Sequence, residues 1–323
     1  VSPRLHVVTG KGGTGKTTVA ASLAIALASR PGGRVLLIEV EERQGIAQLF
    51  DTAPLPYEER KVAGAPGGGE VIALAVDARD ALLDYLELFY NLRRAGGILE
   101  RLGAIDFATT IAPGLRDVLL IGKVKEAVVR ADPHRPGGKA FDAVVLDAPP
   151  TGRIGRFLNV THHVSGLAKM GPIRTQSDGV TNLLRSPQTV VHLVTLLEEM
   201  PVQETLDAAT ELAGLGIAVG HVIVDMAREP LLSDAQRDAA AQGKVGRSTL
   251  RKGLLAAGVS ADEALLDSLT AEVVDHALRL ALEDRERKVL AELGHPVVEL
   301  PLLPQRIDLA GLLQLAELLG DVA

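Results

Sequence analysis

Short apolar runs rich in β-branched residues recur along the chain, separated by stretches with helical spacing of apolar positions. They are Leu5–Thr9, Val35–Val40, Val71–Val76, Phe141–Leu146, Val190–Val194, Ala218–Val224 and Val297–Leu300. Runs this short, bounded by turn residues, predict buried strands of a mostly parallel sheet flanked by helices, an α/β fold. Two stretches break the alternation. From about Arg79 to Arg130 and from about His163 to Ser186 the pattern is helical, as at Ala81, Leu82, Tyr85, Leu86 and Phe89, with no strand between. This predicts one sheet domain, with a core of residues 1–78, 139–162 and 187–323 and an inserted helical subdomain of 79–135 and 163–186. The Gly/Pro stretches Ala63–Gly69 and Asp132–Gly138 are expected to connect the two. A polar stretch, Gly243–Gly253, carries Lys244, Arg247, Arg251 and Lys252 and reads as a solvated loop entering a helix.

The first strand leads into Gly10-Lys11-Gly12-Gly13-Thr14-Gly15-Lys16-Thr17, and a helix follows through Thr18, Ala21, Leu23 and Leu27. This is the G-x-x-x-x-G-K-[ST] pattern in the strand, loop and helix context that its chemistry needs. Glycines let successive backbone N–H groups converge on phosphate oxygens, and the helix N-terminus adds partial positive charge. Gly12, Gly13, Thr14, Gly15, Lys16, Thr17 and Thr18 are therefore the expected nucleotide-binding residues. Lys16 would bridge the terminal phosphates and Thr17 would offer a hydroxyl to Mg²⁺.

Carboxylates at the carboxyl ends of parallel strands face the ligand crevice. Phe141–Leu146 runs into Asp147 and then turns through Ala148-Pro149-Pro150-Thr151-Gly152. Asp147 is expected to hold Mg²⁺ through water, and Gly152 to meet the γ-phosphate with its N–H. At the end of Val35–Val40, Glu41 is the best placed of Glu39, Glu41 and Glu42 to orient an attacking water. Sequence physics does not rank the three.

Composition narrows the field. The 323 residues hold 34 Lys+Arg and 41 Asp+Glu, a net charge of −7, which implies no polyanion-binding surface. Five Phe, three Tyr and no Trp leave no platform for stacked bases, so nucleic acid is not an expected partner. The absence of cysteine excludes thiolate-held zinc, thiolate-held iron–sulfur clusters and a cysteine nucleophile, and it suits a cytoplasmic protein. No apolar stretch reaches the ~20 residues of a spanning helix, and no signal-peptide pattern is present.

Together these residues resemble the ATPase family of arsenite-pump subunits and of the targeting factor for tail-anchored membrane proteins. The likeness is carried by Lys11 to Thr18, Val35 to Ile38 with the loop after it, Ala112 to Leu115, Asp147 to Gly152, Pro201 to Thr205 and Pro301 to Pro304. It is closest to the actinobacterial branch, in which two related subunits pair. The resemblance marks Lys11 as the extra lysine of the deviant Walker A class, used across a dimer interface on the partner's phosphates. It identifies the chain with the SIMIBI class of P-loop NTPases. It implies catalytic roles for Lys11, Lys16, Glu41 and Asp147. It also implies a base site formed by Asp225 and Pro304, and ATP or ADP with Mg²⁺ as cofactors.

Three departures matter. Glu41 stands where the family has aspartate, and the family's cysteines for interfacial zinc and arsenite are absent. Asp225 replaces an adenine-reading asparagine; a carboxylate only accepts, so adenine and guanine both stay open. The expected function is a Mg²⁺-dependent ATPase dimer that couples nucleotide state to a client, targeting or transport-related change. Its partner is a second copy or, preferentially, a paralogous subunit, and its client a membrane protein. The alternative is a non-hydrolysing or weakly hydrolysing subunit that regulates an active paralogue. A groove for a client helix has weak support, since the chain holds three Met, one of them Met170.

Overall fold

The computed structural model describes residues 2–41, 43–90, 115–133, 137–159 and 172–323. Eight strands form one sheet: β1 (Leu5–Gly10), β2 (Arg34–Glu39), β3 (Arg60–Gly64), β4 (Glu70–Ala75), β5 (Ala143–Asp147), β6 (Thr189–Thr195), β7 (Val219–Ala227) and β8 (Val297–Pro301). Their order is β3-β4-β2-β5-β1-β6-β7-β8, parallel throughout except for β3, which runs antiparallel to β4 at the edge. Seven strands lie where the apolar runs predict them. β3 has no such run: Arg60 and Lys61 are exposed and only Ala63 is buried, as an edge strand with one covered face allows. The stretch Ala63–Gly69 accordingly ends β3 and turns into β4, and is not a connection to the inserted helices.

Helices cover both faces. On one side lie α1 (Lys16–Ala28), α2 (Gly45–Leu49) and α11 (Leu309–Leu318), packed on Val8, Val35, Leu37 and Val145. The α1 sequence is apolar almost all round, and the helix is sandwiched between the sheet and α11. On the other side, α3 (Ala78–Tyr90), α4 (Leu115–Val129), α5 (Thr151–Leu158), α6 (Pro172–Leu184) and α7 (Glu199–Gly214) surround Leu5, Val7, Leu36 and Leu146. Leu82, Val118, Ile121, Val124 and Val180, from the described ends of the predicted insertion, share that core with the sheet. The side chains of Tyr85, Leu86 and Phe89, and residues 91–114 and 160–171 with Ile111 and Met170, lie outside the described residues.

Beyond β7 come α8 (Asp234–Ala241), α9 (Arg247–Ala256) and α10 (Glu263–Ala291). Arg247 and Arg251 of the basic stretch pair with Glu263 and Asp267 of α10, so this charge run forms a surface ion-pair network. Toward the amino ends of three neighbouring strands, His6, His192 and His221 form a row. His6 Nδ1 lies 3.1 Å from His192 Nε2, and His192 and His221 stack at 5.8 Å. Among the described residues no helix is long and apolar enough to cross a membrane.

Candidate functional site

β1 lies between β5 and β6, with β2 reached on one side and β7 on the other, so a crevice opens at the carboxyl end of β1. The glycine-rich loop fills that position, from Gly10 at the strand end to Lys16 at the start of α1. Gly15 turns the chain into the helix at φ 81°, a left-handed conformation costly for any residue with a Cβ. A Cβ there would also collide with the Asp225 carboxylate. Gly12 and Gly13 meet nothing on their open side.

The loop is closed on itself. The carbonyl of Lys11 accepts from Thr14 Oγ1 at 2.9 Å, from the Thr14 N–H at 3.3 Å and from Lys16 Nζ at 3.3 Å. Lys16 is buried, and desolvation lowers the pKa of its ammonium, opposed by Asp147 and Glu41. Thr18 stands half-buried on the first turn of α1.

Opposite, Thr17 Oγ1 donates to Asp147 Oδ2 at 2.7 Å. The other oxygen, Oδ1, is buried with no hydrogen-bond partner among the described residues. Burial raises the Asp147 carboxyl to about 7, against the lowering effects of Thr17 and Lys16. A carboxylate so placed is short of positive charge. The loop after it is anchored by Thr9 Oγ1, which donates to the Pro149 carbonyl at 2.7 Å, and Gly152 faces open space on the first turn of α5.

The three glutamates after β2 are distinguished by the structure. Glu39, opposite Asp147 in register, is buried and accepts from the N–H groups of Gly45 at 3.1 Å and Ile46 at 3.3 Å, so it caps α2. Glu41 faces the site, with Arg43 at 3.8 Å and Arg153 of α5 at 3.9 Å. Glu42 lies outside the described residues.

Asp225 ends the buried part of β7 behind Gly15, where its carboxylate accepts from the Met226 N–H at 2.9 Å. Leu302 donates to the Ala227 carbonyl at 2.9 Å, which brings the exposed Pro304 loop alongside. Burial raises Asp225 from 3.8 to about 6. Between those values the folded chain holds a proton that the unfolded chain has lost, so stability falls as pH rises, and above 6 the full cost remains. Asp225→Asn is expected to stabilise the protein by about 2 kcal/mol at pH 8 and by much less at pH 4. Thermal melts at the two values check this; an equal gain at both would contradict it.

Two residues that sequence reasoning did not single out also enter the site. Lys11 Nζ pairs with Glu204 of α7 at 2.8 Å, and Thr151 Oγ1 donates to the same carboxylate at 3.1 Å. A mid-helix glutamate carries no local signal of such a role; only the fold brings it to the loop.

Comparison with known proteins agrees with this geometry. The sequence model of a family described as "Anion-transporting ATPase" matches residues 4–186. "ATPase BagA" of Mycobacterium tuberculosis is 54% identical over 319 residues, covering 98% of this chain and 93% of that protein. The "Arsenical pump-driving ATPase" of Acidiphilium multivorum is 25% identical, over 94% of this chain and 52% of that protein. "ATPase GET3" of Lachancea thermotolerans is 29% identical over 55% of this chain and 50% of that protein. With a phosphate-loop α/β fold, a family match over more than half its length and a relative alike from end to end, the chain belongs to the anion-transporting ATPase family and is an ATPase.

Proposed function

We propose that the chain takes up ATP with Mg²⁺ at the carboxyl end of β1 and hydrolyses its terminal phosphoanhydride bond. The observation that carries this reading is the Thr17–Asp147 pair beside Lys16, with one buried carboxylate oxygen left unpartnered among the described residues. That donor set fits Mg²⁺, which prefers oxygen ligands and keeps much of its water shell. The metal would neutralise charge on the phosphate oxygens. In this reading the N–H groups of Gly12 to Gly15 and the α1 N-terminus cradle the phosphates, and Thr18 supports them. Lys16 leaves the Lys11 carbonyl for the terminal phosphates. Thr17 and Asp147 would hold the metal, Asp147 through water. Glu41 orients the water that attacks the γ-phosphorus, and Gly152 offers an N–H to the γ-phosphate. Asp225 and Pro304 line the base, with adenine favoured and selectivity against guanine weakened.

The same reading has two protomers working together in the cytoplasm, preferentially this chain and a paralogous subunit, with Lys11 reaching the partner's phosphates. The inserted helices of about 79–135 and 163–186 would pass the nucleotide state to a membrane-protein client. A second reading, a weakly hydrolysing subunit that regulates its partner, is favoured by one observation: Glu41 stands between Arg43 and Arg153.

Single-turnover hydrolysis separates the readings. ADP is expected to form from ATP in Mg²⁺ and not in excess chelator, with the isolated chain and with the paired complex. Hydrolysis indifferent to the chelator would sink the metal assignment. Nucleotide binding without hydrolysis by the isolated chain would favour the regulatory subunit.

A further inference from the structure

The Glu204 carboxylate has both oxygens engaged, and by two different parts of the site. Oε1 receives the Lys11 ammonium from the front of the phosphate loop at 2.8 Å, and Oε2 receives the hydroxyl of Thr151, the first residue of α5, at 3.1 Å. The side chains of Lys11 and Glu204 are each about one-third exposed, so the pair is open to competition by a soluble anion. Thr151 is buried, and among the described residues no side chain caps the N-terminus of α5. Two turns along α7, Glu211 lies over Gly155 of α5, where a Cβ would occupy the space of its carboxylate. The faces Thr151/Gly155 and Glu204/Glu211 thus meet along both helices, as residues one or two turns apart on a helix share a face.

We infer that Glu204 is a positioning residue that ties the phosphate loop to α5. When phosphates draw the Lys11 ammonium away, the tie is broken and the first turn of α5 is released. The chain runs from α5 directly toward the second predicted insertion, so the first element to register the change is the one that leads there. The inference rests on reading the loop as the triphosphate site. Triphosphate carries several negative charges against one on Glu204, which sets the direction of the exchange. Lys16 adds to it, since reaching phosphate means releasing the Lys11 carbonyl that now orders the loop.

Amide hydrogen exchange on the full chain without nucleotide tests the tie. Lys11→Met and Glu204→Gln should each speed exchange of the amides from Gly155 to Leu158 by about three- to fivefold, the scale of one partly exposed ion pair. The double variant should go no further than either single one. A glutamate that merely supports α5 would leave that helix unmoved by Lys11→Met, because among the described residues the polar link from Lys11 to α5 runs through Glu204. Unchanged exchange in Lys11→Met, or additive effects in the double variant, would overturn the inference. Calorimetry of the wild type with Mg²⁺ and a non-hydrolysable ATP analogue distinguishes the two layers. No binding would overturn the phosphate-site reading and the tie's purpose with it, whereas binding with α5 indifferent to Lys11→Met would overturn the tie alone.

Discussion

Lys16→Ala should abolish binding of a Mg²⁺–triphosphate analogue, lowering affinity by at least about a hundredfold, while the protein still folds. The loss follows from charge-assisted contacts to phosphate, each worth about 1.5–3 kcal/mol, that no neighbouring group can replace. The survival of the fold follows from the geometry of the loop. Lys16 is buried with one carbonyl as partner, at 3.3 Å, and burial already disfavours its charge. Removing the ammonium relieves that penalty, and Thr14 continues to hold the Lys11 carbonyl. Calorimetry for binding and thermal melting for stability check the two halves. Unchanged affinity in the variant would remove Lys16 from the site.

Asp147→Asn should lower the rate of ATP hydrolysis by about a hundred- to a thousandfold and leave nucleotide binding in the absence of Mg²⁺ nearly unchanged. Asparagine keeps the size of the side chain and an oxygen to accept from Thr17, so local packing is preserved. What disappears is the negative charge that would act on the metal's water shell. The variant should also melt no lower than the wild type without nucleotide, because the buried carboxylate there is poorly compensated, with Oδ1 lacking a partner among the described residues. Titration of the hydrolysis rate with Mg²⁺ is the deciding measurement. If the metal dependence does not move, Asp147 belongs to the turn and not to the metal.

The phosphate loop could be read from sequence because its chemistry is contiguous: strand, glycines, lysine, hydroxyl and helix follow one another in the chain. The buried strands could be read because parallel strands are apolar on both faces. β3 could not, since an edge strand with Arg60 and Lys61 exposed gives no apolar run. Nor could the glutamates after β2 be ranked. Glu39 is still held in the register of the sheet and turns to the α2 N-terminus, whereas Glu41 lies beyond the strand end, so the distinction depends on where β2 stops. Glu204 was legible only as part of Pro201 to Thr205, a stretch noted for resemblance, because its partners Lys11 and Thr151 come from other segments. That Lys16 is buried is likewise a tertiary fact, since the residues around it in the chain do not show it.

The row of imidazoles at the other end of the sheet gives the molecule an asymmetric response to acid. Burial holds His6 down at about 4 and His192 well below its ordinary value, and the His221 ring beside them is also lowered. From about 6.5 downward the unfolded chain takes up protons that these folded rings refuse, so each step into acid costs stability there. Over part of the same range Asp225, at the carboxyl end of β7, is relieved by gaining a proton. Strand β7 therefore carries opposed titrations, at His221 toward its start and at Asp225 toward its end. Mild acid thus weighs on the imidazole end of the sheet while it relieves the buried carboxylate at the rim beside the phosphate loop.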